Sequence, residues 1–233
     1  MRITKICVVA MLAAPAMWAQ EPAGDKATFQ QKLAEVKEAA AVNLTNLKKY
    51  QWLQTTQIEI KGDKKNEEMA QCRYGADGKL QRTPVGTPTA PKEPPGGLKG
   101  KFAKKKIEEM KDYTERLKSL IGHYAPPDPQ RLKNVAQSGK ANLERTAGVV
   151  TLTFQGYYKM GDTVEIAYDT GAKKLQSYNV NTYLDGPKDI VTMTNDFANL
   201  PDGTNFLHQT VLDATEKEIH ITRTNSGHSL IPN

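Results

Sequence analysis

VVTLTFQGYYKMGDTVEIAYD, residues 149–169, reads as two strands joined by a turn. Val150, Leu152 and Phe154 alternate with Thr151 and Thr153, and Val164, Ile166 and Tyr168 alternate with Glu165 and Ala167. A period of two with β-branched and aromatic residues is the signature of a half-buried strand. The same rhythm continues in LQSYNVNTYL, DIVTMTND, NFLHQTVLD and EIHITRT, punctuated by DTGAKK, DGPK, LPDG and DATEK. Six strands at this spacing predict an antiparallel meander from Gly148 onward. Its covered parity is expected to hold Val150, Leu152, Phe154, Val164, Ile166, Tyr168, Val211, Ile219 and Ile221, with Thr151 and Thr153 on the wet face.

Working outward, Phe29, Leu33, Val36, Ala40, Leu44 and Leu47 recur at steps of three or four and predict an amphipathic helix over Asp25 to Leu47. Tyr50, Trp52, Ile58 and Ile60 share one strand parity. After the turn KGDKKN, the runs EEMAQCRYG and LQRTPV supply two more strands, joined through Asp77-Gly78. Between Pro84 and Gly100 lie five prolines and four glycines, a composition for a connecting loop or an interdomain spacer; the loop fits better, since three strands and one helix are marginal alone. The helical period returns through Phe102, Ile107, Met110, Tyr113, Leu117, Leu120 and Tyr124. A short helix follows at PDPQRLKNVAQSG, with Asp128 as cap, Pro129 in the first turn and Gly139 at the exit.

The predicted order is helix, three strands, two helices, six strands. About nine antiparallel strands in one twisted sheet must curl, and helices are the natural cover for its apolar side. The expected fold is α+β: a curved half-barrel sheet with one N-terminal helix and two inserted helices over the concave face. In this element order the chain resembles the periplasmic lipoprotein-carrier superfamily, half-barrel proteins that include outer-membrane lipoprotein carriers and sensors of envelope stress. QCRYGADGKLQRTPV, YAPPDPQRL and YLDGPKDIVT also look like segments of uncharacterised secreted bacterial proteins. The first resemblance implies a groove for a lipid-like ligand; the second implies no activity.

Residues 1–20, MRITKICVVAMLAAPAMWAQ, have the form of a secretory signal peptide: Arg2 and Lys5, a short apolar run, then small residues for cleavage near positions 16–20. The remainder, 21–233, is expected to form one soluble exported domain, periplasmic or secreted. Arg2 and Lys5 are the leader's only charges, so the remainder has 30 Lys+Arg against 26 Asp+Glu, a formal +4 in place of +6. With Cys7 in the leader, Cys72 is left as a single thiol, and no intramolecular disulfide can form. That charge and compartment make nucleic acid a poor partner.

No nucleophile elbow, zinc-helix motif, phosphate loop or dinucleotide fingerprint occurs, and no catalytic residue, metal ligand or cofactor is assigned. Cys72 beside Arg73 could be an activated thiol, although a buried strand cysteine suits the position better. If Val211 and Ile219 share the core side of a hairpin, His208 and His220 meet on the opposite face, as cross-strand neighbours or as an incomplete metal site. The leading functional expectation is a non-enzymatic binding module for a lipid-like or acylated ligand. Trp52, Val150, Leu152, Phe154, Ile166 and Tyr168 would line its groove, unless they form a filled core. The alternative is an envelope scaffold that binds an acidic surface through Lys99, Lys101, Lys104, Lys105 and Lys106, whose salt-sensitive attraction could equally be an ordinary solvated helix face. An exported hydrolase is the third.

Overall fold

A computed structural model describes residues 23–86 and 98–232, with 23–27 and 98–103 described by their backbone alone. The leader and most of the Pro/Gly-rich segment lie outside the described residues.

Among the described residues, ten strands form one open antiparallel sheet in the order β3-β2-β1-β10-β9-β8-β7-β6-β5-β4. The chain runs α1 (Ala23–Leu47), β1 (Tyr50–Ile60), β2 (Asp63–Tyr74), β3 (Leu80–Val85), α2 (Leu98–Gly122) and α3 (Pro129–Gln137). It continues through β4 (Ala141–Thr146), β5 (Val149–Gln155), β6 (Thr163–Asp169), β7 (Lys174–Tyr183), β8 (Ile190–Asn199), β9 (Asn205–Ala214) and β10 (Ile219–Leu230). The sheet curls, and the predicted α+β half-barrel is the observed class. β10 returns to pair with β1, so the first hairpin and the C-terminal meander belong to one surface.

Nine of the ten strands match the runs read from the alternation; β4 does not. Its residues, ANLERT, form the outermost strand and offer only Ala141 and Leu143 as apolar positions, so the periodic signal is faint. The turn into β5 is the two-residue Ala147-Gly148 loop, both residues at positive φ (48° and 85°). Glycine suits that conformation and alanine does not, which hid the hairpin from a reading based on turn residues. A second correction concerns the first hairpin: its turn is Lys61-Gly62, and β2 resumes at Asp63, so DKKN is strand. Likewise Pro84 and Val85 end β3 and Leu98 to Gly100 open α2, which trims the expected 84–100 loop from both sides. Proline is tolerated in β3 because it is an edge strand.

The core lies between the helices and β5 to β8, where Val150, Leu152, Phe154, Val164, Ile166, Tyr168, Tyr178, Val180, Val191 and Met193 are buried. From above, α1 contributes Phe29 and Val36, α2 contributes Tyr113, Leu117 and Leu120, and α3 contributes Leu132 and Val135. α3 starts as the sequence predicts: Asp128 caps Gln130 N–H at 2.8 Å and Arg131 N–H at 3.4 Å, with Pro129 next. Ile107 departs from the expected stripe, since it is 53% exposed. Residues 104–109 of α2 are all exposed, and among the described side chains of this helix packing begins at Met110.

A polar knot fastens α2 to the sheet. Asp162, 1% exposed, accepts hydrogen bonds from the backbone N–H groups of Tyr157, Tyr158 and Lys159 and from the Tyr124 hydroxyl at 2.6 Å. Tyr124 also meets the Thr182 hydroxyl at 2.8 Å, and its carbonyl accepts from Tyr178 at 2.6 Å. These groups are withdrawn from bulk water, so each bond replaces a solvation that folding has removed.

Candidate functional site

The apolar stripe of α1 outlasts the core beneath it. Phe29 and Val36 are buried against β5 and its neighbours, but Leu44 is 37% exposed and Leu47 is half-buried. These later positions, with Ala39, Ala40 and Asn43, roof a partly enclosed cleft of about 410 Å³. That volume falls within the range of small-molecule sites. The helix is held over it by Asn43, whose amide donates to the Asn205 carbonyl and accepts from Asn205 N–H at 2.7 Å.

The floor and walls come from β1, β2 and β3 on one side and β7, β8, β9 and β10 on the other. Two bulges curve the sheet around this space. Between β1 and β10, Trp52 alone opposes Gly227 and His228, with Gly227 at φ 62°. Between β8 and β9, His208 is the extra residue, inserted where the register steps from Asp196↔Gln209 to Phe197↔Leu207. A bulge bends its strand and redirects side chains, and here both occur beside cleft residues.

One wall is aromatic. Tyr74 packs on Trp52 (centroids 5.6 Å apart), Trp52 stacks on His228 (5.6 Å, 16°), and His228 leans on Phe206 (4.1 Å). Phe197, Leu207, Leu80 and Leu175 extend the apolar surface. Below it a buried amide network is satisfied: Asn225 accepts from Trp52 Nε1 at 3.1 Å and Gln54 Nε2 at 2.8 Å, and donates to the Leu207 carbonyl at 2.7 Å. This network clamps β1, β10 and β9 together.

The cleft's charge is all of one sign. Among the described residues, Arg82, Arg223, Lys173 and Lys174 line it together with His228, and no aspartate or glutamate does. Arg223 occupies the covered parity of β10, two residues beyond Ile221, and burial together with the Arg82 charge holds its pKa below the ordinary value. Its buried Nε has no hydrogen-bond partner among the described residues. Cys72 is fully buried between Trp52 and Arg82 on paired strands. Burial raises its thiol pKa, against the opposing pull of Arg82 and Arg223. The guanidiniums near this thiol are therefore cross-strand ones; Arg73 instead bonds Gln81 at 3.2 Å.

His228 supplies a pH prediction. Burial, and then the His208 charge, depress its pKa from the usual 6.5. The folded state therefore binds fewer protons than the unfolded chain, so its contribution to stability is complete above about pH 6.5 and is lost as pH falls through the folded value. The urea midpoint should drop between pH 7 and pH 5, and His228→Phe, which keeps the aromatic stack, should shrink that drop. Equal pH slopes for the two proteins would contradict this role.

No family model matches the chain, and no curated protein matches it. Among solved structures, it is similar to the crystal structure of a DUF1329 family protein from Desulfovibrio piger ATCC 29098. The TM-score is 0.40 and the identity 7%, over 87% of this chain and 92% of that one.

Of the six side chains expected to line a groove, Trp52 lies in the cleft wall. Leu152, Phe154, Ile166 and Tyr168 are 0–4% exposed and belong to the core under the helices, as does Val150 at 2%. Lys104, Lys105 and Lys106 are exposed on the first half of α2, and Lys105 lies 3.9 Å from Glu109; the side chains of Lys99 and Lys101 are outside the described residues. His208 and His220 do not come together. Ile219 pairs with Ala214 and Ile221 with Leu212, which puts Val211 on the other face beside Thr222. His220 instead meets Asp213 at 2.7 Å and Thr222 at 3.1 Å, while the bulged His208 packs edge-on near Phe206. The residues that reading the sequence missed are Arg82 and Arg223. Arg223 left a signal, since it occupies the covered parity of β10, where an arginine is out of pattern; Arg82 left none, because every residue of β3 is exposed.

Proposed function

We propose that this chain is an exported, non-enzymatic binding module of the bacterial envelope that holds a lipid-like or acylated ligand beneath α1. The single observation behind this reading is the continuation of the α1 apolar stripe past the core and over an open, aromatic-walled cleft. Leaving Leu44 and Leu47 only partly covered costs stability at roughly 25 cal/mol per Å² of apolar surface left in water. A ligand tail would recover it. The leader-like residues 1–20 support the export part of the proposal. Among the described residues no helix is long and apolar enough to cross a membrane.

Native mass spectrometry of protein purified without detergent tests this directly. The expected result is a population carrying an extra mass that organic extraction removes and that partitions as a lipid. A protein that stays ligand-free, and gains no mass when mixed with acyl-chain compounds, would overturn the reading.

A second reading rests on the exposed stretch of α2 at residues 104–109, where Lys104, Lys105 and Lys106 precede the exposed Ile107. Such a surface suits an acidic envelope partner, with binding weakened by salt. Replacing the three lysines by glutamine should then abolish sedimentation with anionic vesicles at low salt; unchanged sedimentation would remove this alternative.

A further inference from the structure

The cleft carries a polar demand that an apolar tail alone does not meet. Arg223 makes no hydrogen bond or ion pair with the described residues, and its Nε is shut away from water. A buried donor without an acceptor is destabilising, more so when it is charged. Arg82 lies on the same face, on β3, with β2 and β1 between it and β10. It approaches closely enough for its charge to act on Arg223 and on the Cys72 thiol between them. Two guanidiniums that repel one another and face no carboxylate among the described residues are destabilising unless an anion meets them. The acids on this face of β2 do not line the cleft: Glu68 is engaged by Asn66 at 2.7 Å and Asp63 by Lys65 at 2.9 Å.

We propose that the ligand is an amphiphile with a single anionic head group. A carboxylate or phosphate is seated between Arg82 and Arg223, and the apolar tail lies against Leu44, Leu47, Phe206 and Leu207. This rests on the ligand-binding reading above and adds the chemistry of the head. Guanidinium forks match carboxylate and phosphate oxygens in pairs, which a lysine cannot do. The anion would satisfy the orphaned Nε, cancel the repulsion between the arginines, and point the tail toward the apolar roof beside them. Lys173 and Lys174 at the rim favour the same sign of charge on entry. The aromatic wall of Tyr74, Trp52, His228 and Phe206 gives the tail a rigid surface that needs no rearrangement.

The test is calorimetric titration of the full chain with four probes below their micellar concentrations: sodium dodecanoate, dodecyl phosphate, dodecanol and inorganic phosphate. The proposal expects at least one of the two anionic amphiphiles to bind about ten- to a hundredfold more tightly than dodecanol, the range of a charge-assisted pair. Which one does so separates a fatty-acid head from a phosphate head. Arg223→Gln and, independently, Arg82→Gln should reduce that preference to about twofold or less while leaving dodecanol affinity unchanged. The unliganded Arg223→Gln protein should melt no lower than wild type, since it loses an unpaired buried charge; this shows that the variant folds, and Arg82→Gln on the exposed edge strand provides the same comparison if it does not.

Equal binding of dodecanol and both anions, unaffected by either substitution, would overturn the head-group proposal and leave the apolar-ligand reading standing. Binding of inorganic phosphate without any dodecyl compound would overturn both, because the arginines would then serve a free anion. Binding of none of the four would likewise remove both.

Discussion

Asp162→Ala is expected to destabilise the protein by about 4 kcal/mol, which in a chain of this length lowers the melting temperature by roughly 8–16 °C. The carboxylate of Asp162, itself 1% exposed, holds three consecutive backbone N–H groups and the Tyr124 hydroxyl. Alanine leaves one buried and two half-buried N–H donors without this acceptor. Tyr124 retains Thr182, so its hydroxyl is only partly orphaned, and loss of a buried charge offsets a further part of the cost. Asp162→Asn should fall between alanine and wild type: one acceptor oxygen survives, but the new NH₂ faces other donors. Urea unfolding at constant m-value measures this. A loss below about 1 kcal/mol for Asp162→Ala would show that water replaces the carboxylate and that the knot does not fasten α2.

Phe154→Ala should cost about 3–5 kcal/mol. The ring is fully buried in β5, and Phe29 of α1 meets it edge-on at 5.4 Å and 79°. Removing it withdraws the surface on which the first half of α1 docks, so amide exchange in α1 should accelerate more than in β8 or β9. The same variant distinguishes the two roles open to this residue in the sequence. As a core residue away from the cleft, Phe154 can be removed with little change in ligand affinity, provided the protein is assayed well below its new melting temperature. A large fall in affinity with little fall in stability would instead make Phe154 part of the ligand surface.

The framework was legible because most of its elements are locally consistent. Alternation in residues 149–224 marks strands on its own, and the Asp128-Pro129 start of α3 is encoded by chemistry within three residues. What the chain does not encode locally was lost. β4 escaped because an exposed edge strand needs little apolar alternation and turns through alanine. The β9–β10 register slipped because Val211 and Leu212 are adjacent and equally apolar, so either could face inward, and because the His208 bulge breaks the count. The candidate site was harder still. Its wall joins Tyr74 and Trp52 to Phe206 and His228, far apart in the chain, and only pairing of β10 with β1 brings them together. The continuous α1 stripe concealed the same fact, since Leu44 and Leu47 repeat the period of Val36 without sharing its burial.

The central claim, that an apolar tail occupies the cleft under α1, can be read from one indole. The chain has two tryptophans, Trp18 in the leader-like segment and Trp52 in the cleft wall. In a full-length Trp18→Phe protein, all indole fluorescence therefore reports on Trp52. Titration with a fatty acid brominated along its chain is predicted to quench that emission saturably, and unbrominated fatty acid should restore it by competition. Emission that is unchanged, or that falls only linearly and to the same degree as in urea-unfolded protein, would contradict the account.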